Sequence, residues 1–246
     1  MDKVVIITGG SRGIGKKMVE DFANAGYKVA FTYLSNEKCS LDLQTSLNNL
    51  GYQVICKKMD LAKDGEIVSF VDFVMSEFGK IDVLINSATA TNDSLFQDKT
   101  TKTFEDVLRV NLVGTFYLSK LVGDIMYQNK CGKIINISST NGMNTYFPMC
   151  LEYDASKAGI NSLTHNLAMQ FAPYINVNAI APGFIATESE IKDMDDEFIR
   201  CEEEKIFLKR AGKEEDVSNL ALFLASDKSD YINNQIIKIN GGMYGD

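Results

Sequence analysis

Five residues past the middle of the chain, Tyr153-Asp154-Ala155-Ser156-Lys157, set a phenol and an ammonium four positions apart. On a helix that spacing is one turn, so both groups stand on one face. A cation beside a phenol favours phenolate and lowers a tyrosine pKa from its usual value of about 10. Tyr153 is therefore a candidate general acid or base near neutral pH. Taken alone, such a pair is more often an ordinary surface pair. A second stretch changes its weight: Thr8-Gly9-Gly10-Ser11-Arg12-Gly13-Ile14-Gly15 follows a short β-branched run and opens a helix-like segment. A glycine-rich turn in that context aims helix N-terminal amides at a dinucleotide pyrophosphate. Its spacing, Gly9-x3-Gly13-x-Gly15, is a longer version of the common pattern. Ser138 and Ser139 end another apolar run upstream of Tyr153. Neighbouring strand residues point to opposite faces, so spacing alone leaves both hydroxyls open as partners.

Bringing residues 9–15 and 153–157 together requires a particular set of elements. Strands are expected at 4–8, 28–33, 53–57, 81–86, 133–138, 176–180 and 235–239. Helices are expected at 14–25, 39–50, 67–78, 103–129, from the Tyr153 region to about Pro173, and at 214–225. Gly26, Gly51 and Gly79 stop the first three helices. Short, nearly continuous apolar strands alternating with helices imply a doubly wound parallel sheet of the Rossmann type, about seven strands with helices on both faces. With three prolines and no Pro/Gly/Ser-rich linker, residues 1–246 read as a single α/β domain.

Composition removes several functions. The formal charge is −8 with no basic stripe, which argues against nucleic acid as a partner. Apolar runs are strand-sized and no leader-like segment precedes the first strand, so no membrane association and a cytoplasmic location are expected. The five cysteines (39, 56, 131, 150 and 201) are scattered without a CxxC pair and read as reduced thiols, not as a metal site. His165 is the only histidine, which leaves no Ser/His/Asp triad and no metal-ligand cluster. From Glu190 to Lys205 there are eight acidic and three basic residues, read as a solvated helix face.

Further landmarks follow the glycine turn in order: Asp60 after the third strand, Asn86-Ser87-Ala88-Thr89, Asn111 within Val110-Asn111-Leu112-Val113-Gly114, Ser139, Tyr153 with Lys157, then Ala181-Pro182-Gly183 and Thr187. In these the whole chain resembles the short-chain dehydrogenase/reductase family. The resemblance implies an NADP(H)-dependent reductase of a ketone to a secondary alcohol, or the reverse. It implies Ser139, Tyr153, Lys157 and Asn111 as catalytic residues, with Asn111 keeping a water chain. It also implies cofactor contacts from Gly9, Ser11, Arg12, Gly13, Ile14, Gly15, Ser35, Asn36, Asp60, Leu61, Asn86, Tyr153, Lys157, Pro182, Gly183, Ile185 and Thr187.

Preference for NADP(H) over NAD(H) is expected because Thr32-Tyr33-Leu34-Ser35-Asn36 carries no acid to hold ribose hydroxyls, while Arg12 offers a cation to a 2′-phosphate. Thr89 stands where the family has glycine, which places a side chain beside the expected pocket. Residues from about 187 to 210 fall where the family carries its substrate lid, and members of this size are commonly homotetramers. Asn178–Ile185 and Asn240–Tyr244 look like those of 3-oxoacyl-carrier-protein reductases, so the ketone is free or carried on a thioester. Lys130 and Lys133 are the basic candidates for meeting an acidic carrier. Sugar, polyol or steroid dehydrogenases, and a non-catalytic NADP(H) sensor, are the alternative readings.

Overall fold

Val4–Ile7 (β1) is four aliphatic residues in a row, none of them exposed, and a strand buried on both faces belongs inside a sheet. The computed structural model, which describes residues 3–143, 148–187 and 194–243, places it there. It joins Lys28–Tyr33 (β2), Val54–Lys58 (β3), Val83–Asn86 (β4), Gly132–Ile137 (β5), Ile175–Pro182 (β6) and Ile236–Ile239 (β7). All pair in parallel, in the order β3-β2-β1-β4-β5-β6-β7. The expected seven-stranded, doubly wound sheet is thus observed. The winding direction reverses between β1 and β4, and a crevice opens there beyond the carboxyl ends of the strands.

Period-two alternation divides the core into two layers. Val5 and Ile7 face Met18 and Phe22 of helix α1 (Gly13–Asn24), together with Val217, Ala221 and Leu224 of α8 (Glu214–Ala225). Val4 and Ile6 face the opposite layer. There Phe70 and Val74 of α3 (Asp64–Phe78), Leu118 and Val122 of α5 (Thr115–Gln128) and Leu167 of α6 (Leu151–Gln170) pack together. Helices α2 (Glu37–Asn49), α4 (Thr101–Leu108) and α7 (Asp196–Lys205) are the others among the described residues.

One expected element is divided. The helix expected over 103–129 is α4, then a π-helical turn at Arg109–Gly114, then α5. The turn falls at a close approach of two backbones. A Cβ at Gly114 would lie 2.3 Å from the Leu61 carbonyl oxygen, so the turn lies directly on the backbone after β3. Arg109 fixes the same place, its Nε donating to the Ala62 carbonyl at 3.0 Å. Strand β6 runs two residues past its expected end because Ala181 and Pro182 pair with Lys238 and Ile239 of the edge strand. The expected lid spans residues 188–193, which lie outside the described residues; its later part is α7.

Candidate active site

The glycine turn at the end of β1 is shaped by what cannot fit there. Gly9 has φ 73°, and a Cβ on it would lie 2.9 Å from Ala88 Cα. One on Gly15 would lie 2.1 Å from the Gly9 carbonyl oxygen. Thr8 secures the turn to the segment after β4, its Oγ1 accepting from the N–H groups of Ser87 and Ala88 at 2.9 Å each. The first N–H groups of α1 have no partner within the helix, and no acid stands in its first turn. That fits an anion at this point. Arg12 is the N-cap residue, exposed and without an ion pair among the described residues. Ser11 is partly exposed beside it, and Ile14 packs against the core.

At the end of β2, Ser35 is exposed and Asn36 caps α2. The first carboxylate beyond them, Glu37, accepts a hydrogen bond from the Tyr33 hydroxyl at 3.2 Å. Lys58, in register with Tyr33 on β3, brings an exposed cation that motif spacing did not single out. Asp60 bends the next loop, accepting from the Ala62 N–H at 2.9 Å, and Leu61 is buried beneath the π-turn.

The expectation for Asn86 changes. Its amide is buried and donates to Ser119 Oγ at 2.9 Å and to Asn136 Oδ1 at 2.8 Å. It ends β4 in register with Asn136, and that pairing commits the side chain to the core instead of the crevice. Ala88, packed on Gly9, and the exposed Thr89 follow it at the opening. Lys133, one of the two basic candidates for an acidic carrier, does not face the crevice. It is buried at the start of β5 and donates to Ser229 and Asp230, at the end of the sheet away from the crevice. Lys130 lies at that same end, its ammonium 5.8 Å from the Tyr174 ring.

Helix α6 and the short turn before it assemble the reactive groups. Lys157 is buried; its Nζ donates to the Ile137 carbonyl at 2.7 Å and lies 5.3 Å from the centre of the Tyr153 ring. Loss of water around the ammonium pulls its pKa down to about 8. The two serines separate. Ser138 is buried and donates to Asn161 Oδ1 at 2.6 Å, whereas Ser139 is partly exposed and its Oγ accepts the Asn141 N–H at 3.1 Å. Ser139 therefore keeps its own proton to donate. A Cβ on Gly142 would lie 2.5 Å from the Lys157 carbonyl carbon, so the 3₁₀ turn Thr140–Gly142 lies flat on α6. Asn161 ties this turn down, donating to the Gly142 carbonyl at 3.0 Å.

Asn111 sits in the π-turn with its side chain filled by protein. It accepts from the Ala90 N–H (2.7 Å) and donates to the Ala90 carbonyl (2.9 Å) and to Ser156 Oγ (3.0 Å). Ser156 Oγ in turn donates to the Tyr153 carbonyl at 2.7 Å. After β6, a Cβ on Gly183 at the end of Pro182 would lie 2.6 Å from Asn240 Cβ. Ile185 is buried and bridges to Gly212. Thr187 folds back so that its methyl lies 3.6 Å from where a Gly13 Cβ would be. The segment after β6 thus closes over the glycine turn. His165 is exposed on α6, its Nδ1 2.5 Å from Asn234 Oδ1.

Comparison with known proteins converges on one group. Residues 9–244 match the family model described as enoyl-(acyl carrier protein) reductase. The 3-oxoacyl-[acyl-carrier-protein] reductase FabG of Staphylococcus epidermidis is 36% identical over 248 residues, covering 99% of this chain and 100% of the relative. Its counterpart from Aquifex aeolicus is 35% identical over 243 residues, covering 98% and 97%. A crystal structure of a proposed gluconate dehydrogenase from Agrobacterium tumefaciens superposes with a TM-score of 0.92 at 28% identity, covering 98% of this chain and 95% of that one. Full-length likeness to enzymes of one kind, on a sheet and crevice of this topology, settles the family: this chain is a short-chain dehydrogenase/reductase, and with that an oxidoreductase.

Proposed function

We propose that the chain reduces a ketone to a secondary alcohol, or runs the reverse reaction, with NADP(H) and with Ser139, Tyr153, Lys157 and Asn111 carrying the chemistry. The observation that carries this reading is the Lys157 ammonium, 5.3 Å from the Tyr153 ring on the helix against which the Ser139 turn packs. The cradle at Gly9 and Gly15, the free amides of α1 and the uncommitted Arg12 fit a dinucleotide with a 2′-phosphate. When bound, that cofactor supplies the hydride.

The residues do the rest. Ser139 donates a hydrogen bond to the carbonyl oxygen as negative charge grows on it. Tyr153 gives that oxygen its proton, and the nearby ammonium of Lys157 favours the phenolate left behind. In the reverse direction Tyr153 takes the alcohol proton. Because the side chain of Asn111 is occupied, its part is to hold the π-turn and the Tyr153 turn in register.

A serine and a phenol converging on one oxygen suit a carbonyl, and the full-length relatives named for 3-oxoacyl thioesters favour that class of ketone. Exposed Asp195, Asp196, Glu197 and Glu204 at the lid give an acidic carrier a poor electrostatic partner, so a thioester on a small carrier should serve as well. The gluconate dehydrogenase likeness favours a second reading, oxidation of a sugar acid. Free cysteines support work in the cytoplasm. Among the described residues no helix is long and apolar enough to cross a membrane.

The test is oxidation of NADPH and NADH by purified protein against acetoacetyl thioesters, sugar ketones and steroid ketones, with gluconate tried in reverse. Turnover of an acetoacetyl thioester, tighter binding of NADPH than NADH, and a narrower gap in Arg12→Ala are expected. Equal affinity for the two cofactors contradicts the NADP(H) assignment. Turnover of gluconate alone contradicts the thioester.

A further inference from the structure

The segment from β4 to α4 runs beside the site with little regular structure. Thr91, Asp93 and Leu95 through Asp98 are all exposed, and its one ordered piece is the short turn Phe96–Asp98. Asn111 holds it at Ala90. Further on, the Cys150 thiol before α6 donates to Asp93 Oδ1 at 3.0 Å, and Lys99 Nζ donates to the Asn92 carbonyl at 2.9 Å and reaches Ser94 Oγ at 3.4 Å. The same ammonium lies 2.7 Å from Glu152 Oε2. This is a contact between charges rather than an aligned hydrogen bond, and among the described residues neither oxygen of Glu152 has a hydrogen-bond partner.

The pair is deeply buried, with the Lys99 and Glu152 side chains 7% and 0% exposed. Glu152 directly precedes Tyr153 in the first turn of α6. A buried carboxylate that loses its cation is left with an uncompensated charge, so loop and helix turn cannot separate without stranding both groups. A pair of apolar side chains of similar volume would hold the two elements together at least as firmly. What the ions add is one fixed relative position. A second strap, from Asn111 through Ser156 Oγ to the Tyr153 carbonyl, reaches the same residue from its other side.

We infer that the Lys99–Glu152 pair is a positioning device, locking the 91–99 loop to the first turn of α6 so that Tyr153 is aimed at the reacting oxygen. The inference rests on the reading of Tyr153 as proton donor. Its test compares wild type, Lys99→Met/Glu152→Met, Lys99→Arg and Tyr153→Phe on one ketone that the wild type reduces. Each variant is measured for melting temperature, NADPH affinity, KM and kcat.

The double methionine variant removes both charges and keeps the volume. It is expected to melt at or above wild type and to hold NADPH within about twofold, while kcat falls by about 10²-fold, the scale of a misplaced reacting group. Lys99→Arg keeps the charge but not the geometry. It is expected to melt like wild type with kcat lowered by about 10-fold. It also decides the matter if the double variant does not fold. Wild-type kcat in a folded double variant, or in Lys99→Arg if only that folds, overturns the inference. If Tyr153→Phe is inactive while those variants turn over normally, only this inference fails. If Tyr153→Phe keeps its activity, the proton-donor reading and this inference fall together.

Discussion

Lys157 gives up water for a neutral partner, the Ile137 carbonyl. Its pKa near 8, against an ordinary value of 10.5, makes that burial a stability cost with a definite sign. Below about pH 8 the group is protonated in both folded and unfolded chains, and the fold carries the full penalty of a buried charge. Between pH 8 and 10.5 the unfolded chain binds more protons than the folded one, so the penalty fades as pH rises. Lys157→Met should therefore be more stable than wild type near pH 7, by about 3 kcal/mol at most, with the gap closing toward pH 10. Denaturant titrations at the two pH values check it, and turnover should be lost throughout. A gap that does not change with pH contradicts the burial argument. Tyr153 and Lys157 were legible in the sequence because helical spacing alone brings them together. Spacing left Ser138 and Ser139 open and only the family resemblance pointed to Ser139, because what separates them is Asn161 reaching back from α6 to Ser138.

Most strands and helices were legible from apolar patterning and from the glycines that stop them. The π-turn was not: one widened turn hardly disturbs apolar spacing across residues 103–129. The contact that accompanies it, Gly114 packed on the Leu61 carbonyl, joins elements far apart in the chain. Asn86 shows the same limit. Its motif suggested the cofactor, but register with Asn136 turned the side chain into the core. These contacts make Gly114→Ala a direct probe. A methyl there would stand 2.3 Å from the Leu61 backbone oxygen, so the backbone would have to shift. Overpacking of this kind costs about 1–3 kcal/mol. The variant should melt lower, and kcat should fall further than NADPH affinity because Asn111 shifts with the turn. Wild-type melting and turnover would show that the π-turn does not position the site.

On the scale of the whole molecule, apolar groups remain on the surface where helices meet solvent. Val113 and Phe116 on the π-turn and α5 are 39% and 44% exposed, and Leu151 and Met169 on α6 are 45% and 66% exposed. Such surface marks protein–protein contact when it is grouped on one side. We propose on this basis that the chain forms the homotetramer expected from the family resemblance, with α5 and α6 as the contact helices. Light scattering should give a tetramer at micromolar concentration, and Phe116→Asp should shift it to smaller species. A wild-type monomer would remove the proposal. Net charge was plain in the sequence, but its distribution was not. Folding buries Lys133 at the start of β5 and leaves Asp196, Glu197 and Glu204 of α7 exposed.

The central claim is that Tyr153 moves the proton, and turnover by Tyr153→Phe on a ketone that the wild type reduces tests it most directly. Phenylalanine keeps the ring beside Lys157 and removes only the ionisable hydroxyl. General acid catalysis is worth roughly 10²–10⁴-fold, so kcat should fall at least that far. NADPH affinity should stay close to wild type, because the glycine turn and Arg12 remain. A variant that folds, binds NADPH and keeps most of its turnover would contradict the mechanism.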